Sequence, residues 1–257
     1  MAKDRFGLKG KVAVVTGSGR GIGKALAEGM AEAGAKLVVC SRTRSEAEAT
    51  AAGIVARGGQ AMALRCDTSR RADCQRLMDA AVKRFGRLDV MVCNAGIDII
   101  KPAETLEESE WDAILDINLK GYFNCAQLAG RQMLRQRSGG VILMNSSIAG
   151  VIGIHGLSAY AAAKGGVNQL VRTLAVEWAR KRIRVNAFGP GYIANVMRGV
   201  EHIHADPKKK RHIRTFTPMG RRGTLDELVG PVVFLASDAA SYVTGAVLMI
   251  DGGYSAM

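Results

Sequence analysis

Short runs dense in Val, Ile and Leu alternate along the chain with longer stretches in which apolar positions recur every three or four residues. The first run, residues 11–16, is apolar on both faces of its alternation and predicts a strand buried on both sides. Runs at 35–40, 60–66, 86–93, 141–144, 182–188 and 246–250 predict six more. Between them, helical spacing covers 24–33, closed by Gly34, and 46–57, ended by Gly58 and Gly59. It returns at 72–85, where Leu77, Ala81 and Phe85 share a face, and over the long pattern 107–136, which includes Trp111, Ile114, Leu115, Ile117 and Leu119. An Ala-rich helix around Tyr160 continues through 167–179, and 225–236 predicts a last helix. Residues 197–216 are the least regular part. Seven strands alternating with helices, without a linker or a repeat, predict an α/β fold: one doubly wound Rossmann domain over 1–257, a seven-stranded parallel sheet with helices on both faces.

Against that frame, certain polar residues acquire meaning. Gly17, Gly19, Arg20, Gly21, Ile22 and Gly23 lie between the first strand and the first helix, the context of a dinucleotide-binding turn. Glycines there let backbone approach a pyrophosphate, and amides at the helix start favour its charge. About twenty residues on, where an NAD-binding chain generally carries an acid for the ribose hydroxyls, this one has Ser41 and Arg42. With Arg20 they suit the 2′-phosphate of NADP, although exposed arginines are also compatible with plain solvation. Tyr160 and Lys164, four apart, share a helical face, as do many ordinary surface pairs; here Ser147 precedes them at a strand mouth. Together the three could hold and protonate a carbonyl oxygen, with the lysine lowering the phenol pKa. The Pro190–Gly191 turn leading to Ile193 suits a loop lining a ligand. Asp67 suits a helix cap, and Asn118, inside a helical pattern, a hydrogen-bonded core amide.

Composition narrows the alternatives. The 257 residues carry 48% hydrophobic side chains and a formal charge of +13. Such a charge attracts nucleic acid, membrane surfaces or anionic partners, yet the basic residues are spread along the chain and no nucleic-acid module accompanies them. Neither nucleic-acid nor membrane binding is expected. No apolar run approaches the roughly 18 residues of a membrane span, and no signal-type core follows Met1, so a cytoplasmic location is expected. Cys40, Cys66, Cys74, Cys93 and Cys125 form an odd set without a Cys-x-x-Cys pair and are read as reduced and structural. His202 and His204 lack further ligands at metal spacing, so no metal is expected.

The glycine turn, Asn94-Ala95-Gly96, Asn118, Ser147 and Tyr160-x-x-x-Lys164, in this order, resemble the short-chain dehydrogenase/reductase family over residues 11–254. The resemblance implies hydride transfer between a nicotinamide and a carbonyl or secondary alcohol, with NADP (NADPH) favoured and NAD less so. It implies that Tyr160 donates the proton, Ser147 orients the carbonyl, Lys164 tunes the tyrosine and binds ribose, and Asn118 holds a water for proton resupply. Asp67 would bond the adenine amino group, Asn94, Ala95 and Gly96 would pass beside the cofactor, and residues 192–220 would form a substrate lid. The family commonly has Thr where this chain has Asn195, a change that keeps a donor and acceptor for the nicotinamide amide. A homotetramer or homodimer is implied. The pattern is similar both to 3-oxoacyl-carrier-protein reductases and to sugar or polyol dehydrogenases such as gluconate 5-dehydrogenase. The basic segment 208–214 is compatible with an anionic or carrier-bound substrate and also with a solvated face. A silent NADP(H)-sensing binding protein is the alternative of another class.

Overall fold

A computed structural model describes residues 5–194 and 206–257, Lys209 by its backbone alone. The strands β1 (Val12–Thr16), β2 (Lys36–Ser41), β3 (Gln60–Arg65), β4 (Val90–Cys93), β5 (Gly140–Asn145), β6 (Ile183–Pro190) and β7 (Val247–Ile250) form one sheet. Its order is β3-β2-β1-β4-β5-β6-β7, and every pairing is parallel. Parallel neighbours need crossovers, and helices supply them: α1 (Gly21–Glu32), α2 (Arg44–Ala56), α3 (Arg71–Phe85), α4 (Glu108–Leu115), α5 (Gly121–Gln136), α6 (Ser158–Trp178), α7 (Pro207–Phe216) and α8 (Val229–Ala236).

Successive strand residues point to opposite faces, so the sheet divides its side chains between two cores. Val14, Val38, Met91, Ile142 and Val185 pack with α3, α5 and α6 through Leu77, Met133, Val171 and Trp178. Val15, Leu37, Val39, Val92 and Leu143 pack with α1, α2 and α8 through Leu26, Met30, Ile54 and Leu235. All five cysteines are buried and free. Among the described residues no helix is long and apolar enough to cross a membrane.

Several boundaries differ from the sequence pattern, each for a local reason. The fourth strand starts at Val90 and not at residue 86: Gly86, at φ +82°, closes α3, and the Asp89 carboxylate is held by Arg87 and accepts from the Val12 N–H. Residues 225–236 divide into a 3-10 turn and α8, whose first turn contains Pro231, a residue without an N–H. Residues 207–216, expected to be irregular, form α7, with Pro207 at its start and the Asp206 side chain accepting from the Lys208 N–H. Residues 197–205 of that segment lie outside the described residues. The long pattern 107–136 is helical throughout, but a π turn at Asp116–Lys120 separates α4 from α5.

Where α5 meets α6, Gly130 faces the Trp178 indole, and a Cβ there would come within 2.7 Å of the ring. Gly130→Val is expected to destabilise the fold by about 1–3 kcal/mol through overpacking, read as a lower urea midpoint. An unchanged midpoint would contradict such close packing.

Candidate active site

The strand order reverses direction between β1 and β4, so the loops leaving their carboxyl ends diverge and open a crevice. A hydroxyl and two side-chain amides join the strand ends where β1, β4 and β5 stop pairing with one another. Thr16 Oγ1 accepts from the N–H groups of Asn94 and Ala95, at 2.9 and 3.1 Å, and donates to the Val92 carbonyl. Asn94 Nδ2 donates to the Thr16 carbonyl at 2.9 Å, and Asn145 Nδ2 donates to Asn94 Oδ1 at 2.9 Å. The ends of β1, β4 and β5 are thereby tied at one level.

A cleft of about 500 Å³ runs over these ends. Gly17, Gly19, Arg20, Gly21, Ile22, Gly23, Ser41, Arg42, Asp67, Asn94, Ala95, Gly96, Tyr160 and Lys164, all singled out from the sequence, lie on its wall. The glycines are required by close approach. A Cβ on Gly17, at φ +64°, would meet the Ala95 backbone at 2.8 Å, one on Gly19 would meet Glu46, and one on Gly23 would strike the Gly17 carbonyl. The turn therefore stays thin and keeps the amides at the start of α1 open to the cleft. At the opposite end the buried Asn145 Oδ1 has no partner. An elongated groove of nucleotide size, amide-lined in the middle, cationic at one end and with an unanswered acceptor at the other, fits a dinucleotide.

The catalytic end is assembled from β5, α5 and α6. Ser146 Oγ donates to Asn168 Oδ1 at 2.6 Å, and Asn168 Nδ2 donates to the Gly150 carbonyl, pinning the loop after β5 to α6. Ser147 Oγ accepts from the Ala149 N–H at 3.1 Å, and its hydroxyl acts on the Tyr160 phenol. Lys164, only 2% exposed, donates to the Asn145 carbonyl at 2.6 Å and to Tyr122 Oη at 3.2 Å, with its ammonium 5.4 Å from the Tyr160 ring centroid. Asn118 lies behind the cleft, fully buried. Its Oδ1 accepts from the Ile97 N–H at 2.9 Å and its Nδ2 donates to the Ile97 carbonyl at 2.8 Å, and the π turn that carries it is a wide turn of the kind found at functional positions.

Three placements depart from expectation. Pro190, Gly191 and Ile193 are not on the wall of this cleft: β6 runs on through Pro190 beside Ile250, Asp251 crowds Gly191, and Ile193 bridges to Gly223. Asn195 lies outside the described residues. Asp67 does not cap α3; it accepts from the N–H and hydroxyl of Ser69 in a turn on the wall.

The electrostatics also correct one expectation. Burial pushes the Tyr160 phenol above its ordinary pKa, Asp98 adds to the shift, and the Ser147 hydrogen bond opposes it. Burial pushes Lys164 down to about 7, against the pull of Asp98 and Cys93. In the protein alone, therefore, desolvation of the phenol outweighs any lowering of its pKa by the lysine.

Sequence reasoning missed Tyr122, Asn145 and Asn168, which look like ordinary core residues. It also missed Glu46, on the wall beside Arg42, and Asp98. The signal for Asp98 was present: an acid inside the apolar run from Ile97 to Ile100.

A family model described as enoyl-(acyl carrier protein) reductase matches residues 17–255. The chain is 39% identical over 248 residues to a 3-oxoacyl-[acyl-carrier-protein] reductase of Synechocystis, covering 96% of this chain and 97% of that one. It is 36% identical over 256 residues to a 2-dehydro-3-deoxy-D-gluconate 5-dehydrogenase of Escherichia coli K12, covering 100% of both. The crystal structure of a gluconate 5-dehydrogenase from Burkholderia cenocepacia, in complex with NADP and tartrate, superposes with a TM-score of 0.95 at 36% identity over 100% of each chain.

The depressed lysine makes a stability prediction. Between about pH 7 and its ordinary value of 10.5 the unfolded chain holds the proton that folded Lys164 has lost, so this group's contribution to stability rises with pH. The raised tyrosines reverse the trend only above about pH 10. Urea midpoints measured from pH 7 to 9 should climb more steeply for the wild type than for Lys164→Met, by at most about 1.4 kcal/mol per pH unit. Parallel pH dependences would refute the depressed pKa.

Proposed function

The chain belongs to the short-chain dehydrogenase/reductase family, and from that premise we propose an NADP-preferring oxidoreductase that interconverts a carbonyl and a secondary alcohol through Tyr160, Ser147, Lys164 and Asn118. The observation that carries this reading is the meeting of a phenol, a hydroxyl and an ammonium at the end of a cleft that begins at a glycine turn. When bound, the dinucleotide supplies the hydride and, oxidised, a positive charge beside the phenol.

The residues then divide the remaining work. Tyr160, protonated at neutral pH because burial holds its pKa up, gives its proton to the carbonyl oxygen. Ser147 has its oxygen fixed by the Ala149 N–H, which leaves its hydroxyl to donate to the same carbonyl. Charged Lys164 has three N–H bonds. Two are spent on Asn145 and Tyr122, and the third serves a ribose hydroxyl or a water. Asn118, by holding Ile97, sets the loop that follows Gly96 and supports the resupply of protons. With all four side chains retained at one site, a silent nucleotide sensor is not favoured.

For the cofactor, Arg20, Ser41 and Arg42 supply cations and a hydroxyl at the adenosine end. Glu46, to which Ser41 donates at 3.3 Å, stands on the same wall. Two guanidiniums against one carboxylate favour a 2′-phosphate, as does the NADP bound by the Burkholderia relative. The substrate is an anionic or carrier-bound carbonyl compound. Helix α7 brings Lys208, Lys210, Arg211 and Arg214 together, and His212 on it meets Tyr254 at 2.9 Å, which suits a lid over about 192–220. Relatives named for sugar acids and for acyl-carrier substrates fit this equally. A homodimer or homotetramer is part of the reading, with Phe123 and Val176 exposed on α5 and α6 as apolar contacts.

Two measurements test these roles. Tyr160→Phe is expected to bind NADPH with little change and to lose about 10²-fold or more in turnover; wild-type turnover would remove Tyr160 from the chemistry. Arg42→Ala is expected to lower kcat/KM with NADPH by about tenfold or more and with NADH far less, whereas equal efficiency of the wild type with both coenzymes would count against NADP preference.

A further inference from the structure

One acidic group at the reactive end of the cleft has no part in that scheme. Asp98 follows the Asn94-Ala95-Gly96 turn and lines the same wall as Tyr160, Lys164 and Asn145. Oδ1 of its carboxyl is buried with no hydrogen-bond partner. The flanking Ile97 and Ile99 pack against an apolar cluster of Ile114, Ala159 and Ala163, which offers it no side-chain donor. A buried acceptor left open beside a reaction centre is expensive for the fold and is offset when a ligand donates to it.

We infer that Asp98 is a specificity-determining residue that accepts a hydrogen bond from a hydroxyl adjacent to the reacting carbonyl, so that the substrate is an α-hydroxy ketone or the matching vicinal diol. The inference rests on the reading of Tyr160 as proton donor and deepens it. A 3-oxoacyl thioester places only a methylene and acceptor oxygens beside its reacting carbonyl. Binding it would cover the Asp98 carboxyl without giving it a donor, whereas a polyhydroxylated keto acid supplies one. The negative charge of Asp98 also turns a substrate's own carboxylate away from the reacting carbon. A site built to bond a substrate hydroxyl discriminates strongly against the analogue that lacks it.

Titration supplies an independent reading. Burial pushes Asp98 up to about 6, with the Ile99 hydrogen bond and Lys164 opposing. The titratable groups that face it are Lys164 and Tyr160 of α6, and Cys93 at the end of β4 acts on Lys164 in turn. Two ketones that differ only in the hydroxyl use Lys164 and Tyr160 alike, so the titrations of those groups cancel in the ratio of their rates.

The experiment compares 1-hydroxybutan-2-one with butan-2-one, using NADPH, from pH 5 to 7.5. The wild type should favour the hydroxy ketone by about 10²-fold in kcat/KM, and the ratio should grow as the carboxyl ionises. Asp98→Leu should bring the ratio to within a few-fold of one. Asp98→Asn, which preserves shape and an acceptor oxygen, should keep part of the preference but lose its pH dependence, and NADPH binding reports that each variant is folded. A wild-type ratio near one, an unchanged ratio in Asp98→Leu, or a pH trend that survives in Asp98→Asn would overturn the inference. Failure of the wild type to reduce either ketone would instead sink the reading of Tyr160, and this inference with it.

Discussion

The architecture of the cleft depends on how three parallel strands stop. Where β1 and β4 part, the Thr16 carbonyl and the N–H groups of Asn94 and Ala95 lose their strand partners, and a backbone group left unpaired in the interior costs about 1–3 kcal/mol. Thr16 and Asn94 answer for β1 and β4, and Asn145 couples them to β5. Since these side chains are short, the strand ends are held within a hydrogen bond of one another, and the loops above can only diverge. The nucleotide turn and the reactive end are therefore two consequences of one boundary condition. The Asn145 carbonyl, fixed by the same arrangement, is also the oxygen that anchors Lys164.

Charge follows a similar logic. The exterior is strongly cationic, at +13 overall, but inside the cleft desolvation outweighs pair attraction. Lys164 is drawn toward neutrality, and Tyr160 and Asp98 are drawn toward their protonated forms. Lys164, at about 7, and Asp98, at about 6, titrate close to neutral pH in the free protein, so a ligand that brings charge or donors has a large effect on where their protons sit. A surface pair with the same four-residue spacing would lack this responsiveness, because solvent would screen it.

The sequence made the repeating parts legible. Buried strands, helical faces and the thin turn at Gly17 and Gly23 are local, and few alternative structures would use the same residue types in the same order. The spacing of Tyr160 and Lys164 was equally local. What escaped was set by contacts distant in sequence or by backbone geometry without a residue signature. The partners of Lys164 come from 19 and 42 positions away, at Asn145 and Tyr122. The π turn at Asp116–Lys120 uses residues that would sit in any helix, and α7 is basic enough along its length to pass for a loop. Pro190 and Gly191 suggested a turn, yet the strand carries on to Pro190, since a proline that ends a strand leaves no pairing N–H to lose. The phenol's raised pKa could not be read from spacing, because spacing contains no measure of desolvation.

The frame explains chemistry better than it explains choice of substrate. Strand ends, glycine turn and ammonium are constrained by hydrogen bonds and close packing that leave them little latitude. Selectivity must then come from groups on the wall that the frame does not use. Glu46 and Asp98 are two such acids, one at each end of the cleft. Both are negative charges set where the overall field would welcome an anion, so each converts general attraction into a positional rule. On the proposed reading, a phosphate near Glu46 is held by arginines that outweigh the carboxylate, and a ligand near Asp98 presents a donor. A cationic protein that recruits anions broadly gains discrimination by placing its few interior acids where the wrong part of a ligand would otherwise settle.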